Sequence, residues 1–127
     1  MPLTKIHLRE GRSAEDKAAM AAAVQEALVA NLGIAEDDLF QVIQEYGEGD
    51  FRHADAFGDL AYTRDLLMIE ISFIQGRSDE VKKALLADLN GRLVKAVALR
   101  PDDVFVILYD VGPANVSFGR GLAQKAP

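Results

Sequence analysis

Two segments of this 127-residue chain repeat each other at one fixed spacing. Ser13 and Ser78 stand 65 positions apart (78 − 13), and sliding the chain by that offset aligns Pro2–Glu45 with Leu67–Asp110 without a gap. Identical pairs include Ile6/Ile71, Gly11/Gly76, Arg12/Arg77, Ser13/Ser78, Asp38/Asp103 and Phe40/Phe105. Agreement of this kind over more than forty positions argues for an internal duplication, in which each copy must find its partner to bury its apolar side. The copies differ at their starts: Pro2 in the first is matched by Leu67 in the second.

Each copy reads as strand, helix, strand. Pro2–Leu8 alternates, with Thr4, Ile6 and Leu8 on one face and Leu3, Lys5 and His7 on the other, the period of a strand. Gly11 ends it and Ser13 is a helix N-cap with Glu15 and Asp16 in the first turn. Met20, Val24, Ala27 and Leu28 form the buried stripe of a helix running to Leu32, with Gly33 as its C′ residue. A second strand is expected over Leu39–Gln44. The second copy repeats the pattern: an apolar strand over Leu66–Ile74 that suits cover on both faces, a Ser78-capped helix with the stripe Val81, Leu85, Leu89 and Leu93, and a strand over Val104–Tyr109. Between the copies, Tyr46–Asp65 is rich in glycine and acids and is expected to be a connecting loop. Gly112–Gly121 reads as turns, and Ala123–Pro127 as a frayed end.

A strand–helix–strand crossover makes its two strands parallel. Two such units about a pseudo-twofold axis give an α/β (α+β) fold: a four-stranded mixed sheet with both helices on one face, in a single domain over residues 1–127. The other face still carries apolar groups, so further copies of the chain are expected to cover it.

Composition narrows the function. A formal net charge of −6 disfavours nucleic acid as a partner. Without cysteine there is no thiolate catalysis and no cysteine-bound metal, and His7 and His53 lack the acidic company of a metal site. No apolar run is long enough for a membrane span and no secretory signal opens the chain, so the expected location is cytoplasmic.

What remains is a small set of side chains. Trimming of Met1 would leave Pro2 with a free secondary amine, a general base once burial or a nearby cation lowers its pKa; a proline opening a strand is also ordinary structure. Arg12 and Arg77 each stand between a strand-ending glycine and a capping serine, where an anion is welcome and a solvated arginine equally at home. The pseudo-twofold singles out Arg77 as the one that meets Pro2. Arg12 then meets Leu67 and is a relic or a structural residue. Asp38 and Asp103 precede the last strand of each unit, where aspartate also serves plain turns.

Pro2–Ser13 resembles the opening of 4-oxalocrotonate tautomerase. The fused double unit, with Asp38–Gln41, Gly76-Arg77-Ser78 and Ser117–Gln124, more closely resembles the malonate semialdehyde decarboxylase branch of the tautomerase superfamily. The resemblance covers nearly the whole chain. It implies the tautomerase (MIF-like) fold, a homotrimer and a cofactor-free site built on the terminal proline. Tautomerases of this kind use the proline as a neutral base; the decarboxylase uses it as a cation beside an aspartate and two arginines. Pro2 matches the proline, Asp38 the aspartate and Arg77 one arginine. The other arginine falls near Gln75, beside a one-residue length difference, and Arg52, His53 and Arg64 are candidates to replace it. Val116 stands where the family has a tryptophan, and Phe118 keeps its place as an apolar wall. The expected activity is keto–enol tautomerisation of a small 2-oxo acid, with Pro2 and Asp38 catalytic and Arg77, Gln75 and Phe118 binding the substrate. The alternatives are decarboxylation or hydration of a 3-oxo acid such as malonate semialdehyde with a cationic Pro2, and a catalytically silent oligomeric binding protein.

Overall fold

A computed structural model describes residues 1–127. The first unit contains β1 (Leu3–Arg9), α1 (Ala14–Leu32) and β2 (Gln41–Tyr46). Two short strands, β3 (Ala56–Phe57) and β4 (Leu60–Ala61), form a hairpin in the connection. The second unit contains β5 (Leu67–Ile74), α2 (Asp79–Val97) and β6 (Val104–Val111). The sheet order is β2-β1-β5-β6. The β1–β2 and β5–β6 pairs are parallel and the central β1–β5 pair is antiparallel.

Strand register carries the 65-residue spacing into three dimensions. Thr4 pairs with Gln41 and Leu67 with Val104, a separation of 37 in both ladders (41 − 4, 104 − 67). In the central ladder Leu3 pairs with Ser72 and His7 with Met68, and adding 65 to one member of either pair while subtracting it from the other gives the other pair. The pair that maps onto itself, Lys5–Glu70, marks the pseudo-twofold axis.

Both helices start where the sequence places them, because Ser13 Oγ accepts from the Asp16 amide and Ser78 Oγ from the Val81 amide. They cover one face of the sheet. Ile6 and Leu8 of β1, and Ile69, Ile71 and Phe73 of β5, are buried against Met20, Val24 and Leu28 of α1 and Leu85, Leu89 and Leu93 of α2. Each such side chain contributes about 1.5–3 kcal/mol by leaving water. No helix is long and apolar enough to cross a membrane.

The structure corrects or refines four sequence expectations. The second strand begins two residues later than Leu39, because the ladder starts only where the Thr4 amide donates to Phe40 O. Within one chain β5 alternates buried and half-buried residues, since the chain's own helices reach only one of its faces. Val81 is half-buried, at the margin of the α2 stripe. The Tyr46–Asp65 connection is partly regular: its hairpin is held by Arg100 Nη1 donating to Ala61 O and by the Ala61 amide donating to Asp102.

Candidate functional site at the Pro2 end of the sheet

Pro2 is buried, and its two neighbours follow from register. Continuing the central antiparallel ladder by one residue sets Pro2 opposite Phe73. Continuing the parallel ladder sets it beside Leu39, and Met1 beside Asp38. The Met1 amine accordingly lies 2.7 Å from Asp38 Oδ1. On the other flank the Arg77 guanidinium lies over the Phe73 ring, 5.2 Å from its centroid, and donates to Ile74 O. One sheet end thus gathers Pro2, Asp38 and Arg77 from β1, the approach to β2 and the turn before α2. While Met1 is attached, the Pro2 nitrogen is an amide.

Arg77 is half-buried and has no carboxylate within ion-pair distance. Arg12 faces two, with Nη1 3.4 Å from Asp16 and Nη2 3.6 Å from Asp65. In the second copy Val81 stands where Asp16 stands in the first, so the partner acid is missing. A guanidinium stacked on a buried ring and left without a counterion suits a planar carboxylate.

Gln75 follows β5 at the same end of the sheet; its backbone amide donates to Val111 O at 2.9 Å and its residue is exposed. Phe118 lies in the C-terminal turns, 42% exposed, and its backbone bond stays within the tail, to Gln124 Oε1 at 3.0 Å. The candidates to replace the second arginine sit elsewhere within the chain. Arg9 at the far end of β1 lies 3.1 Å from His53 Nε2 and donates to Arg64 O, while Arg64 pairs with Glu48. Seven strand residues, about 23 Å at the usual rise, separate that cluster from Pro2.

Sequence reasoning missed a second polar group, on the helix-free face. His7 Nδ1 lies 2.6 Å from Tyr46 Oη, His7 Nε2 lies 2.6 Å from Glu70 Oε2, and Tyr109 Oη donates to Glu70 Oε1 at 3.0 Å. Each strand of the sheet supplies one member. The His7 bond, then the Tyr109 bond, holds the Glu70 carboxyl below its usual range, and the bond to Glu70 raises Tyr109. A signal was present in the sequence: Glu70 is the one charged residue inside the most apolar strand.

Comparison with known proteins agrees with the fold and the repeat. The sequence matches a family model described as Tautomerase enzyme over residues 38–119, and a second of the same description over residues 2–56. A probable tautomerase, YusQ of Bacillus subtilis (strain 168), is 32% identical over 124 residues, 98% of each chain. A malonate semialdehyde decarboxylase solved in wild-type, mutant and inactivated forms superposes with a TM-score of 0.87 at 27% identity, over 96% of this chain and 94% of that one. Another, inhibited by 3-bromopropiolate, gives 0.87 at 31% identity, over 96% and 92%. A fused 4-OT described as a symmetric trimer gives 0.80 at 26% identity, over 97% of each chain. In sequence and in fold, the chain belongs to the tautomerase superfamily, within its malonate semialdehyde decarboxylase-like branch.

Proposed function

We propose that the chain, with Met1 removed, is a cofactor-independent tautomerase acting on a small 2-oxo acid or its enol, in a ring of copies whose active sites lie at the Pro2 ends of their sheets. The observation that carries this reading is the Arg77 guanidinium without an ion-pair partner at the Pro2 end of the sheet, at the position where its counterpart Arg12 is neutralised twice. Arg77 binds the substrate carboxylate in a charge-assisted pair. The free Pro2 nitrogen takes the proton from the enol oxygen and returns it to carbon. Asp38, which holds the Met1 amine in the full chain, holds the Pro2 amine once Met1 is gone. Gln75 donates to a substrate oxygen, and Phe118, exposed on its own chain, closes the site against water. A trimer is supported by the fused 4-OT relative and by the apolar helix-free face.

A second reading has its own support. A carboxylate so close to the amine favours the cationic form, the state suited to decarboxylating or hydrating a 3-oxo acid, and two decarboxylases are among the structural relatives. Nitrogen-15 titration of Pro2 in the trimmed protein separates the two. A pKa well below about 8, the ordinary α-amine value, goes with the base; one above it goes with the cation. Turnover of an enolised 2-oxo acid, set against malonate semialdehyde, then identifies the reaction. Retention of Met1 in the purified native protein, or no turnover of either substrate by trimmed protein, would sink both.

A further inference from the structure

The helix-free face carries two hollows, and the pseudo-twofold exchanges them. One, of about 340 Å³, is lined by His7, Tyr46, Asp50 and Glu70 with apolar neighbours. The other, of about 360 Å³, is lined by Ser72, Val111, Asn115 and Lys5, which stand 65 positions from those four, and also by Tyr109. Both outer strands, with the residue that leads into β2, present apolar side chains at equivalent places. Phe40 and Val42 flank one side, 53% and 48% exposed, and Phe105 and Ile107 the other, 42% and 41% exposed. A face with two matching apolar edges lets one edge of a copy meet the other edge of the next, a head-to-tail contact of the kind that builds a ring when its rotation closes. The same symmetry creates a hazard: a neighbour turned through the pseudo-twofold meets nearly the same surface.

The Tyr46–His7–Glu70–Tyr109 chain runs between the two hollows and breaks that symmetry. Its counterparts are Val111, Ser72, Lys5 and Gln44, which cannot form the same bonds. It is also already satisfied: both imidazole nitrogens and both carboxylate oxygens have partners at 2.6–3.0 Å. Water would serve these groups on an open surface. Polar groups that already have partners within the chain cost less to cover than groups that must give up all their bonds to water.

We propose that this chain is the orientation key of the subunit interface: it is buried by a second copy of the protein and admits that copy in one direction only. The inference rests on the ring assembly proposed above. Buried polar groups that fix register are a known use of such networks.

The test uses the oligomeric protein labelled at its methionine methyls, since Met68 lines the first hollow. Wild type is expected to sediment as one oligomer with a single Met68 methyl resonance. Glu70→Gln, His7→Ser and the milder Tyr46→Phe, which removes one hydroxyl, are expected to split that resonance or to raise the dissociation constant at least tenfold, with unchanged circular dichroism. Tyr46→Phe decides the matter if the other two fail to fold. An oligomeric wild type whose Met68 signal and dissociation constant are shared by the variants overturns the key while leaving the assembly standing, as does a wild type already showing several Met68 signals. A monomeric wild type overturns the assembly and the key together.

Discussion

At one end of the sheet Asp38 binds the Met1 amine; at the other, its counterpart Asp103 is sealed beneath the chain that enters β5. Asp103 is fully buried and accepts from the Thr63 amide at 2.8 Å and from Thr63 Oγ1 at 2.5 Å. Asp38 keeps a side chain 29% exposed. The arginines diverge in the same sense, Arg12 held by Asp16 and Asp65 and Arg77 held by none. Duplication supplied two equivalent ends. One has been closed by its own chain, and the other retains an unspent cation and a carboxylate beside a buried proline. A strand–helix turn of this sequence is therefore a scaffold whose neighbours decide whether it binds or merely holds.

Arginine replacement breaks that comparison most strongly. Arg77→Ala in trimmed protein is expected to lower kcat/KM about 100-fold, close to the ~3 kcal/mol of one charge-assisted contact. Arg12→Ala should leave turnover within about twofold, since it removes only partly exposed ion pairs. Steady-state kinetics on both variants checks this, and equal losses would erase the distinction between the ends.

The aspartates sharpen it in the opposite direction. Asp103→Ala strands the Thr63 amide and hydroxyl and should cost about 3 kcal/mol of stability, read as a lower urea midpoint. Asp38→Asn should change stability by less than about 1 kcal/mol, because its single ion pair stays partly in water; its expected loss is in turnover.

Most of the fold was legible because duplication tests each assignment twice: Ser13 and Ser78 cap, and the stripes at Met20–Leu28 and Leu85–Leu93 bury. The start of β2 was misread because Leu39 and Phe40 are as apolar as the strand, and only the Thr4-to-Phe40 bond sets where pairing begins. Pro2 could be singled out because it follows Met1 and Arg77 because it lies between a glycine and a cap, whereas Asp38 stood out only through the family resemblance. The His7–Glu70 chain could not, because its members are scattered from position 7 to 109 and only strand register brings them together. The lone Glu70 in an apolar strand was a hint without a partner.

The helix-free face extends the comparison to acid. The folded Glu70 carboxyl lies below its usual 4.5, held there first by His7 and then by Tyr109. A depressed folded value means that its stabilisation is present above the unfolded value and disappears as pH falls through the folded one. Wild type should therefore lose stability below about pH 4.5 more steeply than Glu70→Gln, and urea midpoints measured down the acid limb would show the difference.

The smallest difference between the halves is at the helix ends. α1 stops at Gly33 with φ 67°, α2 at Ala98 with φ 52°. Both are left-handed, and there a Cβ meets the following carbonyl, so alanine carries a strain that glycine avoids. Nothing else in the two caps compensates: the Gly33 amide still closes onto Val29 O, and α2 gains no equivalent bond at Ala98. Ala98→Gly should accordingly stabilise the protein by about 1 kcal/mol and raise the melting temperature by roughly 4 °C, while Gly33→Ala should lower it by a similar amount. Ala98 lies at the Asp103 end of the sheet, opposite Pro2, so Ala98→Gly should leave turnover unchanged; Gly33 stands five residues before Asp38, at the Pro2 end, and its variant is read for stability alone. A stability gain at Ala98 without loss of activity would show that the second unit kept this strain for want of selection, not for use.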